Sequence, residues 1–348
     1  MDERKNTVLP FAYGGPPLRG VLRAMPEDFF VDEELGFAPD GAGEHVFVRV
    51  EKRGANTDWV ARELANFAAV RPDAVSYAGL KDRNAVTRQT FSLHMPGKPD
   101  PDWSALQHPE FRVLEAARHS RKLQRGALKS NAFRIVLRGV QGERGAAEQR
   151  IAAIMRHGVP NYFGEQRFGR DGGNIHKALA MFKGRRVQRH ERSLLLSAAR
   201  SQLFNGVLAQ RVEQGNWNGA GDGGALDGEV WMLAGTQSIF GPEPFSDELA
   251  ARLARGDIAP TGALWGQGDV RTGGRVAEIE RGVAAMHADL ATGLEQAGLR
   301  QERRTLVLRA AGLAHEWLPQ GDLELRFSLR SGSYATVIIR EISKVSGA

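Results

Sequence analysis

Hydrophobic and polar residues alternate near the start of the chain, take up helical spacing through its middle, and alternate again towards its end. Phe29, Val31 and Glu33 share one face of a strand over residues 29–33, and Val46, Val48 and Val50 share a face of a second over 45–50. Asn56 or Thr57 caps a helix reaching residue 69, with Val60, Leu64, Phe67 and Ala68 at helical spacing. Residues 75–78 read as a strand, 81–88 as a polar turn, and 90–95 and 132–137 as further strands. Helical patterns cover 145–157, 193–212, 247–255 and 276–297. The glycine-rich stretch 219–228 between them is expected to be a mobile surface loop. Strands return over 306–309, 323–329 and 335–342. No internal repeat of 20 to 50 residues is present. A strand-rich start, a helix-rich middle and a strand-rich end predict an α+β protein in which one discontinuous domain is interrupted by another. Short connections between strands favour an antiparallel or mixed sheet.

Composition adds bounds. The 348 residues suffice for two domains, and 42% hydrophobic with 25% charged residues is a globular balance. The absence of cysteine excludes disulfides, thiolate metal sites and a thiol nucleophile. The opening Met1-Asp2-Glu3-Arg4-Lys5 leads into no apolar stretch, so no secretory signal is expected. No apolar run is long enough for a membrane span. A cytoplasmic protein is the expectation.

Charge is modest in total and uneven in distribution. Lys and Arg number 47 against 41 Asp and Glu, with an isoelectric point near 9.8. Residues 116–142 contain no acid but carry Arg118, Arg121, Lys122, Arg125, Lys129, Arg134 and Arg138. A second basic run extends from Arg167 to Arg192, with Tyr162, Phe163 and Phe168 at its start. Two such runs fit a surface that tracks phosphates better than a merely solvated face.

Several chemistries lack their motifs. The glycine-rich stretch has no Gly-Lys-Ser/Thr ending, no Gly-x-Gly-x-x-Gly opens a helix after a strand, and the nine histidines never fall at His-Glu-x-x-His spacing. No Gly-x-Ser-x-Gly elbow occurs. An enzyme built from this chain is expected to work without metal or dissociable cofactor.

What remains is the turn Gly79-Leu80-Lys81-Asp82-Arg83. Taken alone, it reads as a charged surface turn with a weak ion pair. Its length and polarity, running on through Asn84, Thr87, Arg88 and Gln89, and the acid-free stretch some way behind it make Asp82 a candidate catalytic carboxylate. Gly79 would allow close backbone approach.

The stretch from Tyr77 to Gln89 resembles the signature of the tRNA pseudouridine synthase D family. Five further segments resemble later or earlier family motifs in the right order: Pro26 to Glu33, Arg125 to Phe133, Val159 to Gly169, Leu196 to Arg200, and Gly332 to Thr336. The resemblance implies a pseudouridine-synthase catalytic domain over 1–158 and 304–348, interrupted by a helix-rich α/β insertion domain over 159–303. It implies isomerisation of uridine to pseudouridine at position 13 of tRNA, with Asp82 catalytic. It also implies Phe29, Phe133 and Tyr334 around a flipped uridine and Asn131 bonded to its sugar or base. Of Lys81 and Arg83, one would hold the target phosphate and the other pair with Asp82. A monomer suffices for one tRNA. The readings standing against this are an RNA-binding module that folds tRNA without catalysis, and a metal-dependent nuclease.

Overall fold

The computed structural model describes residues 9–220 and 224–346. The N-terminal segment discussed above, and residues 221–223 of the glycine-rich stretch, lie outside them. In chain order the elements begin with β1 (Leu18–Leu22), β2 (Phe29–Leu35), β3 (His45–Arg53), α1 (Thr57–Phe67), β4 (Val75–Tyr77), β5 (Val86–His94), β6 (Phe111–His119) and β7 (Leu128–Gly142). Then come α2 (Arg144–His157), β8 (Val159–Pro160), α3 (Gly173–Phe182), α4 (Arg189–Glu213), β9 (Trp231–Leu233), β10 (Ile239–Phe240), α5 (Asp247–Arg255) and β11 (Ile258–Leu264). The series closes with α6 (Gly274–Met286), α7 (Ala288–Gln296), β12 (Glu302–Thr305), β13 (Val307–Leu308), β14 (Ala311–Trp317), β15 (Leu323–Arg330), α8 (Ala335–Ile342) and β16 (Ser343–Ser346).

Two compact units result, and the architecture is α+β. One holds residues 17–147, 310–335 and those from Ser343 onward; the other holds the described residues up to Pro16, 148–309 and 336–342. The first is built on a ten-stranded sheet in the order β14-β15-β7-β2-β5-β3-β6, with β1 pairing β7 and β16, and β4 pairing β5. Most neighbours are antiparallel, while β2 with β5 and β1 with β16 are parallel, so the sheet is mixed. On β2 the alternation seen in the sequence is the alternation of burial: Phe29, Val31 and Glu33 are all 5% exposed or less. Val46, Val48 and Val50 of β3 are fully buried against Val60 and Leu64 of α1, together with Phe91 and Leu93 of β5. This face of the sheet, the one α1 covers, carries the candidate site.

Two expected elements change. Residues 335–342 form the helix α8 rather than a strand. The run Thr336-Val337-Ile338-Ile339 has the β-branched content of a strand, but Ala335, Ile338, Ile339 and Ile342 recur at helical spacing and are 5%, 0%, 1% and 0% exposed. Burial of that stripe outweighs the propensity. The single helix expected over 276–297 is two, α6 and α7, broken at His287, where ψ is 44°. Both pack on α4, through Ile279, Val283, Leu290 and Leu294.

The second unit keeps charges inside. Arg303 meets Glu280 at 2.8 Å with side chains 5% and 0% exposed, and the Arg211–Glu229 pair is equally enclosed. Glu280 also accepts from Thr272 Oγ1 and from the Ala263 amide. Glu280→Gln should therefore strand Arg303 in the interior and cost about 3–5 kcal/mol, to be read as a lowered denaturant midpoint. An unchanged midpoint would mean that water reaches the pair.

Candidate active site

Asp82 lies in the turn between β4 and β5, and that turn is pinned at nearly every residue. Ala78 carbonyl accepts from the Gly126 amide at 2.8 Å. Gly79 carbonyl accepts from Gln89 Nε2 at 3.3 Å. The Lys81 amide donates to Thr57 Oγ1 at 3.1 Å, and that hydroxyl donates to Gln89 Oε1 at 3.0 Å. Beneath Asp82 the buried Lys52 donates its Nζ protons to the carbonyls of Asp82 at 2.9 Å and Ala55 at 2.7 Å. Burial pushes the Lys52 ammonium down to about 8, partly countered by the nearby Asp82 and reinforced by Lys81. Asp82 Oδ1 accepts from the Asn84 amide at 3.3 Å, a side-chain-to-backbone closure typical of aspartate in turns. The backbone is thereby held while the carboxylate, 28% exposed, projects from it.

The cation facing that carboxylate is neither sequence neighbour. Arg23 Nη2 stands 2.6 Å from Asp82 Oδ2, with the Arg23 side chain only 10% exposed. Its guanidinium carbon also lies 4.2 Å from the centroid of the Phe29 ring. Arg23 has φ of 58°, in the left-handed region that side-chain-bearing residues seldom occupy. Lys81 instead pairs with Glu33, whose side chain is fully enclosed, and Glu33 also accepts from the Thr90 amide at 3.2 Å. Arg83 is exposed and donates Nε to the Gly54 carbonyl at 3.2 Å. The expected pairing of Asp82 with Lys81 or Arg83 is thus replaced by Arg23, since the pinned backbone turns both neighbours away. A β-carbon at Gly79 would meet only Leu128 Cδ2, at 4.0 Å, so no other part of the chain crowds that position.

Cross-strand register gathers the other expected residues. Facing rows on β2, β7 and β15 read Glu33–Asn131–Leu329, Val31–Phe133–Phe327, and Phe29–Ile135–Leu325. Phe133 lies edge-on to Phe29 at 6.1 Å and stacks on Phe327 at 5.3 Å between centroids. Phe29 is 4% exposed beneath Arg23, whereas Phe133 is half-buried. Asn131 has its Oδ1 buried with no hydrogen-bond partner, a costly state for an acceptor unless a ligand meets it. Tyr334, half-buried, lies in the connection from β15 to α8, past the last register pair Arg330–Ser130, so strand register alone does not bring it to the other expected residues.

Arg23 and Lys52 are the site residues that the sequence reading missed. Lys52 was detectable: it continues the series Val46, Val48, Val50 and is the one charged member of a buried face. Arg23 carried no local signal.

The basic runs also look different in space. Arg118 pairs with Asp100, Lys129 with Glu34, Arg134 with Glu324, and Arg138 with Asp28 and Asp322. The exposed remainder of the first run is Arg121, Lys122 and Arg125, between β6 and β7. In the second run Arg185, Arg186 and Arg189 are exposed. Among the described residues, no helix is long and apolar enough to cross a membrane.

Comparison with known proteins gives one consistent result. The family model described as tRNA pseudouridine synthase D matches residues 8–184 and 173–342. A tRNA pseudouridine synthase D of Xanthomonas axonopodis pv. citri (strain 306) is 50% identical, covering 99% of this chain and 96% of its own. One from Aeromonas salmonicida (strain A449) is 48% identical over 98% and 95%. Another, from Methylococcus capsulatus, is 47% identical over 96% and 94%. The crystal structure described for the tRNA pseudouridine synthase D of Methanosarcina mazei superposes with a TM-score of 0.70 at 23% identity, covering 95% of both chains. At that identity the likeness concerns the fold.

Proposed function

Because the chain belongs to the tRNA pseudouridine synthase D family, an isomerase family acting on tRNA uridines, we propose that Asp82 is the residue on which its chemistry depends and that uridine 13 is its target. The reaction breaks the bond from ribose C1′ to uracil N1, turns the base and forms a bond from C1′ to C5, with the C5 proton released and a proton left on N1. No electrons are exchanged. Attack on C1′, support of a cationic sugar and removal of the C2′ proton each require an anionic oxygen at the ribose. The observation that carries the reading is the Asp82 carboxylate, partly open, faced by Arg23 at 2.6 Å and mounted on a turn that Lys52 and Thr57 hold. Glu33 lies nearby but is enclosed and committed to Lys81, so the two presented carboxylates of a glycoside hydrolase are not assembled.

The target base must leave its stack to reach Asp82. Phe133, half-buried, offers it an aromatic surface, with Phe29 supporting that ring from below and positioning Arg23. The unpaired Asn131 Oδ1 suits a donor on the ribose or the uracil edge. Tyr334, in the connection after β15, is the further aromatic that the flipped uridine would meet. Lys81, being paired, acts by fixing Glu33 and the turn, which leaves the phosphate to the exposed Arg83. The unit of 17–147, 310–335 and 343 onward serves as the catalytic part and the helix-rich unit as the family-specific insertion. A cytoplasmic location follows from the substrate.

The test is tritium release from tRNA carrying tritium at uridine C5, with chelator present and nothing else added. Release without shortening of the RNA is expected, and it should vanish when position 13 is cytidine. No release from any tRNA would defeat the proposal. Binding should be carried by Arg121, Lys122, Arg125, Arg185, Arg186 and Arg189. Its affinity should then fall at least about tenfold between roughly 50 and 200 mM salt, and a flat response would remove these residues from the interface.

A further inference from the structure

Next to the Asp82 turn is a cavity of about 460 Å³ lined by Asn56, Asp58, Trp59, Arg62, Leu80 and Lys81, among others. The chemistry assigned to Asp82 makes no use of it, and it is an open hollow: Asn56, Asp58, Arg62 and Leu80 on its lining are exposed, as suits one unstacked nucleotide laid on the surface. Its lining divides into committed and uncommitted side chains. Lys81 is taken by Glu33, Asp58 by the Tyr77 hydroxyl, and Trp59 packs edge-on to His108. Asn56 precedes α1 without capping it through its side chain. Among the described residues, neither the Asn56 amide nor the Arg62 guanidinium has a hydrogen bond or ion pair.

Leu80 completes the feature. At 71% it is the most exposed large hydrophobic residue among those described. Its neighbours on both sides are pinned: Gly79 by Gln89 and Lys81 by Thr57. A lone exposed leucine is ordinary on a protein surface. One held rigidly on the lip of a cavity, two residues from the candidate catalytic group, is an apolar platform. Two residues of chain reach about 7 Å, a span comparable with one unstacked nucleotide step, given roughly 3.4 Å for a stacked one.

We infer that this cavity is the subsite for the nucleotide adjoining the target uridine, unstacked and single-stranded, with its base on Leu80 and its phosphate or base edge on Arg62 and Asn56. The inference rests on the reading of Asp82 as the group at the target ribose. Placing the neighbour here draws the RNA strand apart at the target, which opens the stack from which the uridine must leave.

The test places 2-aminopurine in tRNA transcripts, at the nucleotide before the target in one and after it in another. Full-length Asp82→Asn protein, which should bind without turnover, is added to each. One of the two positions should change its fluorescence by about twofold or more as the base moves from its RNA stack to Leu80. Leu80→Ala and Arg62→Ala, each in the Asp82→Asn background, should diminish that change and weaken binding by about five- to tenfold. Silence at both positions, or a signal that survives both substitutions, overturns the subsite. Tritium release by the wild-type protein from transcripts that carry tritium at uridine C5 and no 2-aminopurine runs in parallel. Release with a silent probe overturns the subsite alone, whereas absence of release overturns the assignment beneath it.

Discussion

Asp82→Asn should abolish tritium release, lowering it by at least about 10³-fold, while tRNA still binds within a few-fold of wild type. The substitution changes one atom and leaves the mount intact. The Asn84 amide retains an oxygen acceptor, and the Lys52, Thr57 and Gln89 contacts all involve backbone or other side chains. What disappears is the anion beside the ribose and the charge opposite Arg23. The melting temperature should move by only a few degrees, since a partly exposed ion pair contributes on the order of 1 kcal/mol or less. Release by Asp82→Asn at a rate close to wild type would remove Asp82 from the chemistry, whatever the family relationship.

The second large effect belongs to Lys52. Lys52→Met keeps the length of the buried chain and removes both hydrogen bonds, to the carbonyls of Asp82 and Ala55. The turn then loses the strut under its carboxylate-bearing residue, and displacement of a reacting group by about 1 Å costs on the order of 10²-fold. A fall in kcat of about 10- to 100-fold is expected, with KM little changed because no RNA contact is lost. Stability should change less than the two lost bonds suggest. An ammonium held down to about 8 by burial already burdens the folded state, and methionine relieves that burden.

The same group makes a pH prediction. Its folded value, about 8, lies below the ordinary 10.5, so between these limits the unfolded chain binds more protons and stability from this group rises with pH. Below pH 8 the ammonium is charged in both states and its full desolvation cost is present. A neutral amine still donates both bonds, so kcat of the wild-type protein should not reproduce the Lys52→Met loss at pH 9. A matching loss at pH 9 would show that the charge of Lys52, and not its donated bonds, supports the reaction.

How far the sequence could be read depended on whether a contact leaves a periodic trace. Alternation on β2 and β3 placed Phe29, Val31, Val46, Val48 and Val50 on the covered face, because one-sided burial writes itself as a period of two. The alternation starts β5 at Thr90, whereas the strand begins at Val86; Arg88 looks like turn chemistry until Glu51 is found opposite, accepting from it at 2.8 Å. The family resemblance implies boundaries near 158 and 303, while the compact units divide at 147 and 309; tertiary contacts assign α2 and the short β8–β13 pair to the helix-rich unit. Arg23 illustrates a harder limit. Its contact with Asp82 joins positions 59 apart through a single left-handed residue, and nothing in the local pattern encodes such a meeting. One-signed stretches mislead for the same reason. Arg134 and Arg138 look unopposed along the chain, yet their acids, Glu324 and Asp322, come from β15 and the turn before it.

The pairing of β1 with β16 bears on how the protein is made. Leu18 lies opposite Ser343 in that parallel pair, and opposite Gly142 on the other side. A ribosome adding about 5–20 residues per second finishes β7 well before β16, leaving one rim of β1 unpaired for roughly ten to forty seconds. Strand rims in that condition recruit other chains. The interval is a window in which a nascent chain of this protein is open to mispairing with its neighbours on the same message. Slowing translation between residues 142 and 343 should lengthen that window and increase aggregation, without altering any contact of the finished fold.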